Sequence, residues 1–100
     1  MKLYMEVLAE GEINAAQRNA VFYNVGLLHY QNKKYDDALV YFSKIYTKYP
    51  RSSYAPRSLF YIGKSFKSAG KKDEAAATFQ ELIKKYPKSK QASRAKKELK

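Results

Sequence analysis

The chain has 100 residues, enough for one domain and too few for two. Its 45% hydrophobic content supports a packed core rather than a disordered segment, and its lack of cysteine excludes disulfide frameworks and thiolate metal sites. The formal net charge is +11, from 20 Lys and Arg against 9 Asp and Glu, which favours anionic partners without naming one. That charge is uneven. Residues 1–50 carry six basic and five acidic side chains, a balance of +1, and residues 51–100 carry fourteen and four, a balance of +10. No run approaches the roughly 18 apolar residues that a membrane-spanning helix needs. The first residues, Met1-Lys2-Leu3-Tyr4-Met5-Glu6, lack the apolar stretch and small-residue cleavage site of a signal peptide.

Sliding the chain against itself by 37 residues aligns Gly26 with Gly63, Ala38 with Ala75, Phe42 with Phe79, Tyr49 with Tyr86 and Pro50 with Pro87. A period of this length predicts stacked copies of one supersecondary unit. At the same offset Met5 and Leu8 fall on Phe42 and Ile45, so residues 1–12 read as the second helix of a preceding unit whose first half is missing. From Asn14 to Tyr30, apolar residues at Ala16, Ala20, Val21, Tyr23, Val25, Leu27 and Leu28 follow a helical spacing. Gln31-Asn32-Lys33-Lys34 is the predicted turn. The next helix has Asp36 and Asp37 in its first turn, where the helix dipole favours them, and runs to about Lys48 with Leu39, Phe42, Ile45 and Tyr46 inward. Ser52 is the predicted N-cap of a third helix, with Pro56 in its first turn and a glycine stop at Ala69-Gly70. Asp73 and Glu74 repeat the acidic start, and Ala75, Ala76, Phe79, Leu82 and Ile83 line a fourth helix that ends at Lys85. Ser89 caps a last, basic helix from Lys90 to Leu99, in which Leu99 aligns with Ile62.

Within each unit the glycine is followed by alanine after 12 residues, phenylalanine after 4 more and proline after 8 more. This spacing resembles the tetratricopeptide-repeat (TPR) motif. The resemblance implies an all-α fold: a right-handed helical solenoid of antiparallel helix pairs, two full repeats flanked by half-repeats. The implied single domain comprises residues 1–12 (second helix of a truncated repeat), 14–50 (first repeat), 52–87 (second repeat) and 89–100 (a capping helix with a polar outer face). Gly26 and Gly63 are expected to let paired helices approach closely, Ala38 and Ala75 to fill the opposing gap, and Phe42 and Phe79 to plug the space one turn further on. Pro50 and Pro87 end the second helices, because proline disfavours helical geometry in the residue before it.

Nothing in this pattern supplies a catalytic, cofactor-binding or metal site. His29 is the only histidine and sits where the second repeat has Phe66, a packing position. Asp36-Asp37 and Asp73-Glu74 are adjacent residues, which do not face each other on a helix, and both pairs occupy the same repeat position. The four glycines match no phosphate-cradling loop. The chain is therefore read as non-enzymatic.

The first helix of each TPR lines a concave groove, and the resemblance makes Tyr23, Asn24, Leu27, Tyr30 and Gln31 of the first repeat and Arg57, Phe60, Tyr61, Lys64 and Lys67 of the second the candidate partner-binding residues. Tyrosine anchors at one end and cations at the other suit a protein or peptide partner with an apolar and an acidic stretch. Chaperone-binding members use a Lys/Asn carboxylate clamp. Here Ala20 stands one turn before Asn24, so that clamp is not evident. The last seventeen residues hold Lys84, Lys85, Lys88, Lys90, Arg94, Lys96, Lys97 and Lys100 against Glu98 alone. That cluster reads as a solvated cap or as a landing site for an anionic polymer. Nucleic acid is disfavoured, because the aromatics occupy core positions rather than interleaving with the cluster.

One stretch resembles a narrower group. Tyr49-Pro50-Arg51-Ser52-Ser53-Tyr54-Ala55-Pro56, followed by Phe60-Tyr61-Ile62-Gly63 and echoed by Tyr86-Pro87-Lys88-Ser89 with Ala92, is similar to junctions in the C-terminal TPR domains of the YbgF/CpoB family of Tol-Pal accessory proteins, with BamD-like outer-membrane assembly proteins as second choice. This implies a periplasmic scaffold in cell-envelope organisation or division with a TolA-like partner, and self-association through exposed repeat edges. The alternatives are a basic adaptor for an anionic polymer or nucleic acid, and a cytoplasmic TPR adaptor.

Overall fold

A computed structural model describes residues 14–100. The reading of residues 1–12 as a half-repeat lies outside the described residues. Five helices follow in order: α1 (Ala15–Gln31), α2 (Tyr35–Lys48), α3 (Tyr54–Ser68), α4 (Lys72–Lys85) and α5 (Lys90–Glu98). Each packs on the next, and short turns make neighbours antiparallel. The expected all-α solenoid is what the chain forms. In addition α1 touches α3 and α3 touches α5 along their backbones, whereas α2 and α4 stay further apart and meet through side chains, with Lys85 Nζ 5.0 Å from the centroid of the Tyr46 ring. The layer α1–α3–α5 is therefore the pinched, concave one, and α2 and α4 splay apart on the outside.

Local chemistry sets the helix limits. Asn14 is the N-cap of α1 rather than its first helical residue. Its Oδ1 accepts from the Gln17 backbone N–H at 2.9 Å, and the Gln17 side chain accepts from the Asn14 N–H at 3.1 Å, a reciprocal capping box. At the end of α1, Lys34 N–H donates to His29 carbonyl and Lys33 N–H to Tyr30 carbonyl. Thirty-seven residues on, Lys71 donates to Phe66 and Gly70 to Lys67 in the same pattern. Both are Schellman stops, which place one residue in the left-handed region. In the second stop that residue is Gly70 at φ 82°, and in the first it is Lys33 at φ 63°. Ser52 makes the capping bond expected of it, its Oγ accepting from Tyr54 N–H at 3.1 Å, while Ser53, the residue just before α3, has helical φ/ψ and makes no side-chain cap bond. Ser89 does cap α5, accepting from Ala92 N–H at 3.0 Å, and α5 ends at Glu98 rather than Leu99.

The core runs through the middle of the stack, with Ala38, Phe42, Leu59, Ala75, Phe79, Leu82 and Ala95 buried in one cluster. The two glycines act differently from expectation. A Cβ built on Gly26 would sit 2.7 Å from Phe42 Cε1, and one on Gly63 would sit 2.5 Å from Phe79 Cε1. The phenylalanine ring, not the alanine, lies directly over each glycine. Repeats are also tied at their junctions, where the Tyr86 hydroxyl donates to the Pro50 carbonyl at 2.5 Å.

Candidate functional site

The concave layer carries an aromatic face built from α1 and α3. Tyr23 and Tyr30 lie two turns apart on α1, and Tyr61 of α3 sits between them, edge-on to both, with ring centroids 6.1 and 5.4 Å away. Tyr54 lies 5.2 Å from Tyr23, and Tyr35 is edge-on to Tyr30 at 5.8 Å. The underside of this sheet of rings rests on Phe42, which stacks on Tyr61 at 5.7 Å and 19°. Tyr23, Leu27, Tyr30 and Tyr61 are all half-buried. Each has one side packed on the core and one side open. Phe60 is only 8% exposed and meets Phe79 at 5.9 Å, so it belongs mainly to the core. Asn24 is exposed on α1 and stands apart from the cavity described next.

Beside the rings a polar cavity of about 210 Å³ is lined by Tyr23, Arg57, Phe60, Tyr61, Gln91 and Arg94. Arg57 stacks its guanidinium over the Tyr54 ring, 5.3 Å from the centroid. Burial pushes the Tyr23 hydroxyl above its ordinary value, while Arg57 and Arg94 pull it back, so both guanidiniums act on the same ring. Neither arginine has an ion-pair partner among the described residues.

Lys64 and Lys67, the cations expected at the second repeat's end of the groove, meet an acidic side chain on α5. Lys67 Nζ lies 2.8 Å and Lys64 Nζ 3.3 Å from the carboxylate of Glu98 on α5. The Lys67 hydrogen bond, supplemented by that of Lys64, holds the Glu98 carboxyl below its usual range against the opposing effect of burial. These two cations tie α5 to α3 through one carboxylate, which leaves net positive charge there in addition to that of Arg57 and Arg94. Sequence alone counts Arg94 among the basic residues of the last helix and passes over Gln91. The missed signal is the offset itself, because Arg94 falls 37 residues after Arg57.

The remaining candidates are structural. His29 stacks on Tyr41 of α2 at 5.4 Å and 16°. The carboxylates of Asp36, Asp37, Asp73 and Glu74 occupy the first turns of α2 and α4. No group of three or more His, Asp or Glu able to hold a metal occurs among the described residues, and no helix there is long and apolar enough to cross a membrane.

Comparison with known families agrees with the 37-residue register. A family model for the tetratricopeptide repeat matches residues 20–52 and again residues 57–89, two spans whose starts are 37 residues apart. No curated protein matches the chain.

Proposed function

Since the chain belongs to the tetratricopeptide-repeat family, we propose that it is a non-catalytic scaffold whose concave face grips an extended segment of a partner protein. The observation that carries this reading is the half-open face of Tyr23, Tyr30 and Tyr61, with Tyr61 in contact with both other rings on the pinched side of the stack. Tyrosine offers large contact area with few rotors to immobilise and a hydroxyl that tolerates water, which is why it concentrates at binding surfaces. Rings already fixed against Phe42 and against one another lose little freedom on binding.

Photo-crosslinking in the source cell tests it. A photoreactive phenylalanine analogue at Tyr30 should trap a discrete polypeptide, whereas the same analogue at Gln80, exposed on α4 of the outer layer, should not. Equal trapping at both positions, or none at Tyr30, would sink the groove assignment.

A finer proposal is the envelope role, with a TolA-like partner in the periplasm. What supports it is the junction Tyr49-Pro50-Arg51-Ser52-Ser53-Tyr54-Ala55-Pro56 and its echo at Tyr86-Pro87-Lys88-Ser89. Identification of the trapped polypeptide separates the cases: an envelope protein keeps this proposal, and a cytoplasmic one replaces it with the adaptor reading.

A further inference from the structure

We infer that the cavity between α3 and α5 is a carboxylate-binding subsite of the concave face, in which Arg57 and Arg94 together receive an Asp or Glu side chain of the partner segment. The inference rests on the scaffold reading above and adds the chemistry of the ligand. Three independent observations converge on it. First, the two arginines occupy the same position of consecutive repeats, 37 residues apart, so the fold delivers both to one face with the same helical orientation. Second, both line a single cavity of about 210 Å³ whose other polar lining residues are Gln91, Tyr23 and Tyr61. Third, carboxylates reach other cations but not these. Glu98 takes Lys64 and Lys67, and Glu81 lies 3.9 Å from Lys85, while Arg57 and Arg94 pair with no acidic group among the described residues.

A guanidinium presents a planar fork that matches a carboxylate in a bidentate way, and an amide and hydroxyls can donate to the same oxygens. Arg57 is steadied by its stack on Tyr54, which reduces the freedom it would lose on binding. The cavity adjoins Tyr23 and Tyr61, so a segment bound there would place its acidic residue at the arginines and a neighbouring apolar residue on the rings.

Fluorescence anisotropy with three labelled twelve-residue probes tests the assignment. The first probe alternates Leu and Glu, the second carries Gln for every Glu, and the third carries one phosphoserine among the Gln. The Leu/Glu probe should bind saturably and the Gln probe more weakly. Arg57→Gln and Arg94→Gln should each weaken the Leu/Glu probe about tenfold, the size of one charge-assisted hydrogen bond. Lys97→Gln removes the same charge from an exposed site on α5 and should change affinity less than about twofold. Far-UV circular dichroism of each variant shows that it is folded. Equal effects of Arg94→Gln and Lys97→Gln would overturn the subsite in favour of diffuse charge attraction. Preference for the phosphoserine probe over the Leu/Glu probe would overturn the carboxylate assignment and give the cavity to a phosphate. Equal binding of the Leu/Glu and Gln probes, still weakened by Tyr30→Ala, would discard the subsite and leave the groove. No saturable binding of any probe would overturn both.

Discussion

Gly63→Ala sets two well-measured effects against each other, and the structure decides which prevails. In a helix interior alanine is favoured over glycine by about 1 kcal/mol, so propensity alone makes this substitution stabilising. The added Cβ would lie 2.5, 2.8 and 2.9 Å from Cε1, Cζ and Cδ1 of Phe79. Carbon atoms pack best at about 3.5–4.0 Å, so three contacts are short by roughly an ångström at once. The ring has nowhere to retreat, because Phe79 is 1% exposed and abuts Phe60. Overpacking of this kind costs about 1–3 kcal/mol, and three simultaneous overlaps on an immobile ring place it near the upper end. Less the propensity gain, Gly63→Ala should destabilise by about 1–2 kcal/mol.

For a domain of this size that loss lowers Tm by roughly 4–16 °C. Urea unfolding followed by circular dichroism measures it directly. A double-mutant cycle with Phe79→Leu then tests the cause: with the ring removed, alanine at 63 should recover much of its propensity advantage, giving a coupling of about 1 kcal/mol or more. A Gly63→Ala variant as stable as the parent, or more so, would refute the claim that the Phe79 ring occupies the space over Gly63.

Three further outcomes are expected. Lys33 holds φ 63° where the second repeat has Gly70 at φ 82°, so Lys33→Gly should stabilise by about 1 kcal/mol in denaturant melts while Gly70→Ala loses a similar amount. Ser58 is fully buried and its hydroxyl has no hydrogen-bond partner among the described residues. Ser58→Ala should therefore raise stability by up to about 1 kcal/mol, and a loss of that size would disclose a hydrogen bond. The Lys67 and Lys64 contacts hold the Glu98 carboxyl below its ordinary value of 4.5, so the unfolded chain binds that proton more readily. The stabilising effect is complete above 4.5 and is lost as pH falls through the folded value. Melts across that acid range should drop more for the parent than for Glu98→Gln, and parallel curves would contradict the pairing.

The architecture was legible because its determinants recur. Gly26, Ala38 and Phe42 reappear as Gly63, Ala75 and Phe79, and a spacing that repeats intact fixes helix pairing before any contact is known. The partner of each glycine was less so, since spacing does not say whether alanine or phenylalanine faces it. The acidic partner of Lys64 and Lys67 was not legible because Glu98 lies 34 and 31 residues away, and only the docking of α5 on α3 joins them. Arg94 was hidden by its neighbours: among so many lysines its charge carries no information, and its repeat position carries all of it. Lys33 was invisible for the opposite reason, because a lysine in a turn draws no notice until Gly70 is moved back by 37 residues and found to coincide with it.

The same subtraction separates what holds the fold from what varies on it. Where the second repeat docks on the first, Tyr30, Tyr35 and Tyr61 form an edge-on chain beside Phe42, with Tyr61 stacked on that ring. Their counterparts 37 residues on are Lys67, Lys72 and Glu98, while Phe79 keeps the place of Phe42. There the rings are replaced by the Lys67–Glu98 pair, and a cavity of about 180 Å³ is left against Phe79, Ala75 and Ala76. Aromatic contact contributes area burial and ring geometry together, whereas an ion pair half open to water contributes about 1 kcal/mol or less. The α1–α3 joint is therefore aromatic, and the α3–α5 joint sets an ion pair beside the buried Ala92 and Ala95. The arginine-lined cavity straddles the α3–α5 joint, with Arg57 on α3 and Arg94 on α5. A carboxylate held by both arginines would cross-link the two helices. Binding at that cavity would then tighten α5 against the stack, and loosening α5 through Glu98 would weaken the ligand by the same free energy.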